Sequence, residues 1–342
     1  MADRRILLVL TVKNEGPSIL EWVAHHRLVG FTDIAIYHND CTDLTDRILA
    51  QLARMGVVQT FENRLQPSFR RPPYQNRAYR LASGLPVYAE CDWCMALDSD
   101  EYLALPDGVA GVGGLIDAVE ARAGTVEEIR VNWRIFGSSW HETLTDALVT
   151  APFTDAEPAA LAAQMPVGYK TLFRTRAFAR PGIHRPKEPR IEASRVANAS
   201  GLRPDAFDQI GWRATDPGHY RFGAIHHYQL RDAQSFLIKS ARGSASNVSR
   251  NMEIRYWRRF QRGGEEVRLL AARAPALQAE MATLNAASDG RLMGMRRRAL
   301  RKWILRVAEL LATPEGAALY DAVRAVPPQP LTNRATLRAE QG

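Results

Sequence analysis

The chain has 342 residues, 46% hydrophobic and 24% charged, a globular composition that excludes wholesale disorder, collagen-like repeats and a coiled-coil rod. Its 45 Lys and Arg outnumber 37 Asp and Glu, giving a net charge of +8 that favours phosphates, nucleotides or an anionic membrane surface as partners and says nothing of the fold. Cys41, Cys91 and Cys94 are too few for a disulfide scaffold and point to a reducing compartment, and no apolar run of about 18 residues is present to span a membrane.

In chain order, the first apolar stretch is only about five residues long before Val12-Lys13-Asn14-Glu15 interrupts it, shorter than a signal peptide needs. Ile6–Val12 therefore reads as a strand buried on both faces. Pro17 suits a first helical turn, and Ile19, Leu20, Trp22, Val23, His26 and Leu28 recur at helical spacing up to Gly30. A second strand is expected at 34–37. The polar turn His38-Asn39-Asp40-Cys41-Thr42-Asp43 follows, with Thr42 or Asp43 capping a helix over 44–55. A third strand is expected at 57–61, a helix at 74–89, and a fourth strand at 93–97 that runs into Asp98-Ser99-Asp100-Glu101. Strands alternating with helices imply an open, mostly parallel α/β sheet, which binds ligands at the carboxyl ends of its strands. Three polar clusters, Asn14-Glu15, Asn39-Asp40 and Asp98 to Glu101, fall there.

Beyond residue 105 the pattern predicts strands at 128–136 and 170–178, a loop over the Ala- and Pro-rich 151–166, and basic helices from 231 to about 323. In 293–311, Leu300, Trp303, Ile304, Val307, Leu310 and Leu311 share one face, with Arg296, Arg297, Arg298, Arg301, Lys302 and Arg306 around the rest. Such a helix suits either packing on the preceding domain or a peripheral contact with an anionic membrane. Cys91-Asp92-Trp93-Cys94 enters a strand instead of opening a helix and lacks further zinc ligands, so neither redox nor zinc chemistry is expected of it. Asn198 and Asn247 fit the glycosylation pattern, which is discounted in a chain read as cytoplasmic. The positive charge finds no nucleic-acid-binding module.

Asp98 and Asp100, one residue apart at the mouth of a buried strand, form a hard oxygen site for Mg²⁺ or Mn²⁺, which can bridge nucleotide phosphates and draw charge from a leaving group. Around this pair an ordered set of motifs resembles the family-two-like glycosyltransferases of GT-A fold. The set is Val12-Lys13-Asn14-Glu15, the stretch Glu21 to Gly30, Tyr37 to Asp43, Leu97 to Leu103, Phe136-Gly137-Ser138-Ser139-Trp140-His141 and His227-Tyr228-Gln229-Leu230, spread over residues 5–245.

The resemblance implies a GT-A domain (Rossmann-like, mostly parallel sheet) over 1–230; beyond it the residue pattern predicts a basic C-terminal helical extension over 231–325 and a disordered tail over the Pro-rich 326–342. The resemblance also implies Val12, Asn14, Glu15, His38, Asn39, Asn76 and Ser99 at a nucleotide-sugar donor, UDP-linked in the first instance, although His38 and Asn39 stand where an Asp pair usually reads the base. Metal ligands would be Asp98 and Asp100, completed by His227 or, second, His184. The implied reaction is metal-dependent transfer of a sugar to a hydroxyl of a glycan or glycolipid with inversion. Glu142 or Glu188 would be the general base, ahead of Asp205 and Asp208. Lys13, Arg77, Lys170, Arg174 and Lys239 are candidate diphosphate clamps. Two rivals are a non-catalytic carbohydrate- or membrane-binding protein on the same scaffold, and a nucleotidyltransferase, for which a Gly-rich basic loop after the first strand is missing.

Overall fold

The computed structural model of the protein describes residues 4–64, 74–242, 253–326 and 329–330. Its central sheet is built on β1 (Ile6–Val12), β2 (Asp33–His38), β3 (Gln59–Glu62), β4 (Trp93–Leu97), β5 (Glu101–Ala104), β6 (Glu128–Ile135), β7 (Val167–Arg174) and β8 (Ala224–His227), in the spatial order β3-β2-β1-β4-β7-β6-β8-β5. The first half, β3-β2-β1-β4, is parallel throughout. β7 runs antiparallel between β4 and β6, β8 is parallel to β6, and β5 is antiparallel to β8. This is the α/β architecture the motif set implies.

Alternation along the strands divides the core. Leu8 and Leu10 point to one face, packing with Leu20 and Val23 of α1 (Ile19–Leu28) and Leu49 of α2 (Thr45–Arg54). Leu7 and Val9 point to the other, against Ala78 and Tyr79 of α3 (Tyr74–Ala82) and Tyr88 of α4 (Pro86–Glu90). β1 is consequently buried along its whole length. The chain leaves β1, winds outward through α1, β2, α2 and β3, and then returns to place β4 on the opposite side of β1. The winding direction reverses between β1 and β4, and the crevice outside the carboxyl ends at such a switch point is where open α/β sheets bind ligands.

Several sequence expectations shift. The helix expected over 74–89 breaks at Ser83-Gly84-Leu85, and Pro86 opens a second one. The strand expected at 170–178 lies at Val167–Arg174, since Thr175–Ala177 turns as a single 3₁₀ turn. The expected loop at 151–166 contains a short strand, Asp155–Ala156, and α6 over Ala159–Gln164. After α5 (Gly111–Ala123), the C-terminal helices are α7 (Ala233–Arg242), α8 (Ile254–Phe260), α9 (Ala274–Ala286), α10 (Arg291–Leu311) and α11 (Pro314–Arg324). Leu277, Met281 and Leu284 of α9 belong to the main core.

The apolar face expected on α10 splits. Trp303 and Val307 turn inward, the Trp303 Nε1–H donating to Asp43 Oδ2 at 2.9 Å, whereas Ile304 and Leu305 are exposed beside Arg297, Arg298, Arg301 and Lys302. No helix among the described residues is long and apolar enough to cross a membrane. Of the tail expected at 326–342, Val326 is buried and Gln329–Pro330 pairs with Arg262–Gly263; 327–328 and 331–342 lie outside the described residues.

Candidate active site

β4 delivers Asp98 to the switch point, and the chain reverses at once through Ser99 and Asp100 into β5. The turn is pinned from within: the Asp98 amide donates to Glu101 Oε2 at 2.8 Å and the Glu101 amide to the Asp98 carbonyl at 3.1 Å. Trp22 of α1 donates its Nε1–H to the carbonyls of both Asp98 and Glu101, at 3.1 and 3.0 Å, and the Tyr228 amide holds the Asp100 carbonyl at 2.9 Å. A rigid turn of this kind aims side chains, which is what a site needs.

Each carboxylate has a partner ammonium. Lys170 reaches up from β7, with no exposed side-chain surface, to Asp98 Oδ2 at 2.9 Å and Glu101 Oε2 at 3.3 Å. Lys239 of α7 lies 2.6 Å from Asp100 Oδ2 and also donates to the Gln229 carbonyl at 2.7 Å. The remaining oxygens are also engaged: Gln75 Nε2 donates to Asp98 Oδ1 at 2.6 Å, and His227 Nε2 lies 3.4 Å from Asp100 Oδ1.

Burial would raise the Asp100 pKa, but the charge of Lys239 and then His227 outweigh it and hold the carboxyl well below the ordinary range. Glu101 goes the other way: burial pushes its carboxyl up to about 7, with Lys170 pulling it back. Asp98 is the open member, with 33% of its side chain exposed.

Glu15 lies below this turn. It is buried against two guanidiniums, with Arg231 Nη1 at 2.9 Å and Arg242 Nη1 at 2.8 Å; these outweigh burial and keep it ionised. Arg231 also reaches the Ser99 carbonyl at 3.4 Å, and Arg242 holds the carbonyls of Lys13 and Asn14. Around the turn, four cations (Lys170, Lys239, Arg231, Arg242) therefore interleave with four carboxylates (Glu15, Asp98, Asp100, Glu101).

A cleft of about 450 Å³ opens on the β1–β3 side, lined by His38, Asp40, Cys41, Glu62, Arg64 and Tyr74. Asn14 has a left-handed backbone (φ 51°), and its Oδ1 accepts the Thr42 amide at 2.8 Å, joining the loops after β1 and β2. Val12 is buried at the end of β1, and Asn39 is buried with its Nδ2 on Asp40 Oδ2 at 3.1 Å. Asn76 is half-buried on α3; its neighbour Gln75 is the residue that reaches Asp98.

On the opposite side, Trp133 packs 4.5 Å from His227 and 5.5 Å from His184, ring centre to ring centre. This contact requires Gly168 on β7, because a Cβ there would lie 2.2 Å from the Trp133 ring. His184 donates Nδ1–H to the Tyr169 carbonyl at 3.0 Å, and burial followed by the Lys170 charge lowers its pKa to about 4.

The two carboxylates named as candidate bases each pair with an arginine. Glu142 is 46% exposed and pairs with Arg324 at 2.6 Å; Glu188 is 63% exposed, has φ +57°, and pairs with Arg180 at 2.9 Å. Asp98, Asp100, His227, Lys170 and Lys239 are thus gathered, and Glu142 and Glu188 are occupied by arginines of their own. Arg231 and Trp22 were not anticipated in these roles.

For a divalent cation the donor chemistry is right, but the arrangement is not. All four oxygens of Asp98 and Asp100 have partners, and two ammoniums already stand where a cation would gain its charge interaction. Among the described residues, no three or more His, Cys, Asp or Glu side chains are grouped to hold a metal ion. As it stands, the site does not fit one.

The loop after β6 completes the rim. Ile135 pairs with His227 in register, and Ser138 and Ser139 follow directly. Ser139 and Trp140 adopt consecutive left-handed conformations, φ 47° and 64°, at a cost of roughly 1–2 kcal/mol each. Neighbours enforce them. Ser139 Oγ accepts the amides of Thr154 and Asp155 at 2.9 and 3.0 Å, and Gln261 bonds both the amide and the hydroxyl of Ser138 at 2.8 Å.

No protein-family profile matches the chain. It is 28% identical over 148 residues to a glycosyltransferase family 92 protein of Ricinus communis, a match spanning 42% of this chain and 25% of that protein. The chain therefore covers about a quarter of the length of the curated relative it matches. Among solved structures, Staphylococcus aureus TarS 1–349, alone and with UDP-GlcNAc, aligns over 94% of this chain and 89% of its own at 12% identity and a TM-score of 0.30. A putative glucose-1-phosphate thymidylyltransferase of Bacillus anthracis aligns over 50% of this chain and 72% of its own at 8% identity and a TM-score of 0.27. Overlaps at these scores support no argument about donor or chemistry.

Proposed function

We propose that the chain transfers a glycosyl group from a nucleotide-sugar donor, UDP-linked in the first instance, to a hydroxyl of a glycan or glycolipid. The observation that carries this reading is the cation-rich carboxylate turn at the β1–β4 switch point, beside a 450 Å³ cleft. The similarity to a glycosyltransferase over 148 residues agrees with it.

In the reaction the acceptor oxygen bonds to the anomeric carbon while the bond from that carbon to the diphosphate oxygen breaks. The electron pair leaves on the diphosphate, and the acceptor's proton passes to a base. In-line displacement inverts the anomeric centre. Arg242 and Lys239, preorganised by Glu15 and Asp100, supply positive potential to the departing diphosphate. Asp98, fixed by Lys170 and Gln75 and open to solvent on its other side, accepts hydrogen bonds from the donor's hydroxyls. The base and ribose take the cleft past Asn14, His38 and Asn39.

Thermal unfolding in the presence of UDP tests the reading. A ligand at about 100 times its Kd adds roughly 2.7 kcal/mol to stability, so a rise of several degrees is expected. No shift with any nucleoside diphosphate would overturn the proposal.

A further inference from the structure

Trp140 is 62% exposed. No ring or cation among the described residues packs on its indole, although the other exposed tryptophan, Trp212, is stacked 4.4 Å from His184. An aromatic side chain this large is usually buried or partnered. Its backbone is equally out of the ordinary, being in the left-handed region that favours glycine, directly after another residue there.

The loop is fixed at both ends to elements that hold Asp100. On one side the Phe136 amide bonds the His227 carbonyl at 3.2 Å; His227 faces Asp100. On the other, the His141 carbonyl accepts the Ala233 amide at 3.3 Å and the Glu142 carbonyl accepts the Gln234 amide at 3.1 Å, at the start of the helix that carries Lys239. The loop that carries Trp140 is thereby tied by its backbone to β8, which bears His227, and to α7, which bears Lys239, the two residues against Asp100.

We infer that Trp140 is a stacking platform for the acceptor: a pyranose ring lays its apolar C–H face on the indole, which places one of its hydroxyls toward the Asp98–Asp100 turn. The inference rests on the glycosyl-transfer reading and adds to it the chemical class and location of the acceptor. A flat aromatic face complements the C–H face of a sugar, and a backbone held in this strained geometry by Ser138, Ser139 and Gln261 presents that face without first having to be ordered on binding.

The test reads binding directly. In ¹⁵N-labelled protein the Trp140 indole N–H resonance is identified by its loss in Trp140→Gly, a substitution suited to the positive φ and expected to keep the melting temperature. Methyl β-D-glucopyranoside, methyl β-D-galactopyranoside and their 2-acetamido counterparts are titrated, with glycerol as control. At least one pyranoside is expected to shift this resonance saturably. Its affinity should fall about tenfold in Trp140→Gly, equivalent to 1.4 kcal/mol, and be largely kept in Trp140→Phe. If no pyranoside moves the resonance, if glycerol moves it equally, or if Trp140→Gly binds as the parent does, the platform is refuted. Nucleotide release from UDP-sugars by the unsubstituted protein reads the transfer reaction separately, so the two can fail independently.

Discussion

Replacing Lys170 by methionine removes a buried charge while keeping most of the side-chain volume. Lys170 has no exposed surface and answers two carboxylates, Asp98 at 2.9 Å and Glu101 at 3.3 Å. Removing one partner of a buried ion pair costs about 3–5 kcal/mol, because the charge left behind is uncompensated. Here the cost is divided by pH. Above pH 7 Glu101 of the parent carries its charge against Lys170, and the variant must either leave that charge buried without its counter-ion or take up a proton, so the larger loss is expected. Near pH 5.5 Glu101, whose pKa lies at about 7, holds a proton in parent and variant alike. Only the Asp98 contact is then lost, and Asp98 keeps Gln75 and some water, so roughly half the cost remains. At roughly 1.4 °C per kcal/mol for a chain of 342 residues, the melting temperature should fall by about 4–7 °C at pH 8 and about half that at pH 5.5. Thermal and urea unfolding at both pH values measure it. A loss below about 1 kcal/mol at pH 8, or the same loss at both, would refute the reasoning.

The pKa of Glu101 has a consequence of its own. Because it is raised in the folded protein, the folded state holds a proton that the unfolded chain releases from pH 4.5 upward, so this group lowers stability as pH rises from 4.5 to about 7. Glu101→Gln should therefore flatten that part of the urea-midpoint profile; an unchanged slope would contradict the assignment. Gly168→Ala drives a methyl into the Trp133 ring and should cost about 1–3 kcal/mol, with a change in tryptophan fluorescence and reduced nucleotide release, because Trp133 supports His227. Calorimetric titration of the free protein with Mn²⁺ should show no saturable binding, since Lys170 and Lys239 already occupy the carboxylates; saturable binding lost in Asp100→Asn would show that the ammoniums give way.

The first half of the sheet was legible because the information is local. Ile6–Val12, broken only by Thr11, and Trp93–Leu97 are apolar runs ending in polar turns, and with helices between them they allow few topologies. The second half was less so. β5 begins right after Asp100 and reads as the tail of an acidic turn; only its antiparallel partner, β8, makes it a strand. The helix break at 83–85 was signalled by Gly84 and Pro86, which the helical run of Tyr74 to Ala89 masked.

Within the site, Asp98 and Asp100 could be identified from their place after a buried strand. Their counter-ions could be named as candidates but not assigned, because Lys170 and Lys239 stand 72 and 139 residues away and meet the turn only through the folded topology. Arg231 escaped notice for the same reason: its partner, Glu15, lies 216 residues earlier. Gly168 did carry a signal, a glycine within an alternating strand, which marks a close approach; what approached it, Trp133, was not readable.

The most direct test of the central claim, that the carboxylate turn after β4 receives a nucleotide-sugar, is nucleotide release from a panel of UDP-sugars by the unsubstituted protein and by Asp98→Asn. Release is expected from at least one donor and should fall by about 100-fold or more in the variant; because Asp98→Asn leaves the buried Lys170 with Glu101 alone, the variant is expected to melt a few degrees below the parent, and circular dichroism at the assay temperature verifies that it is folded. Release at parental rate by a folded Asp98→Asn protein, or from no donor at all by the parent, would contradict the account.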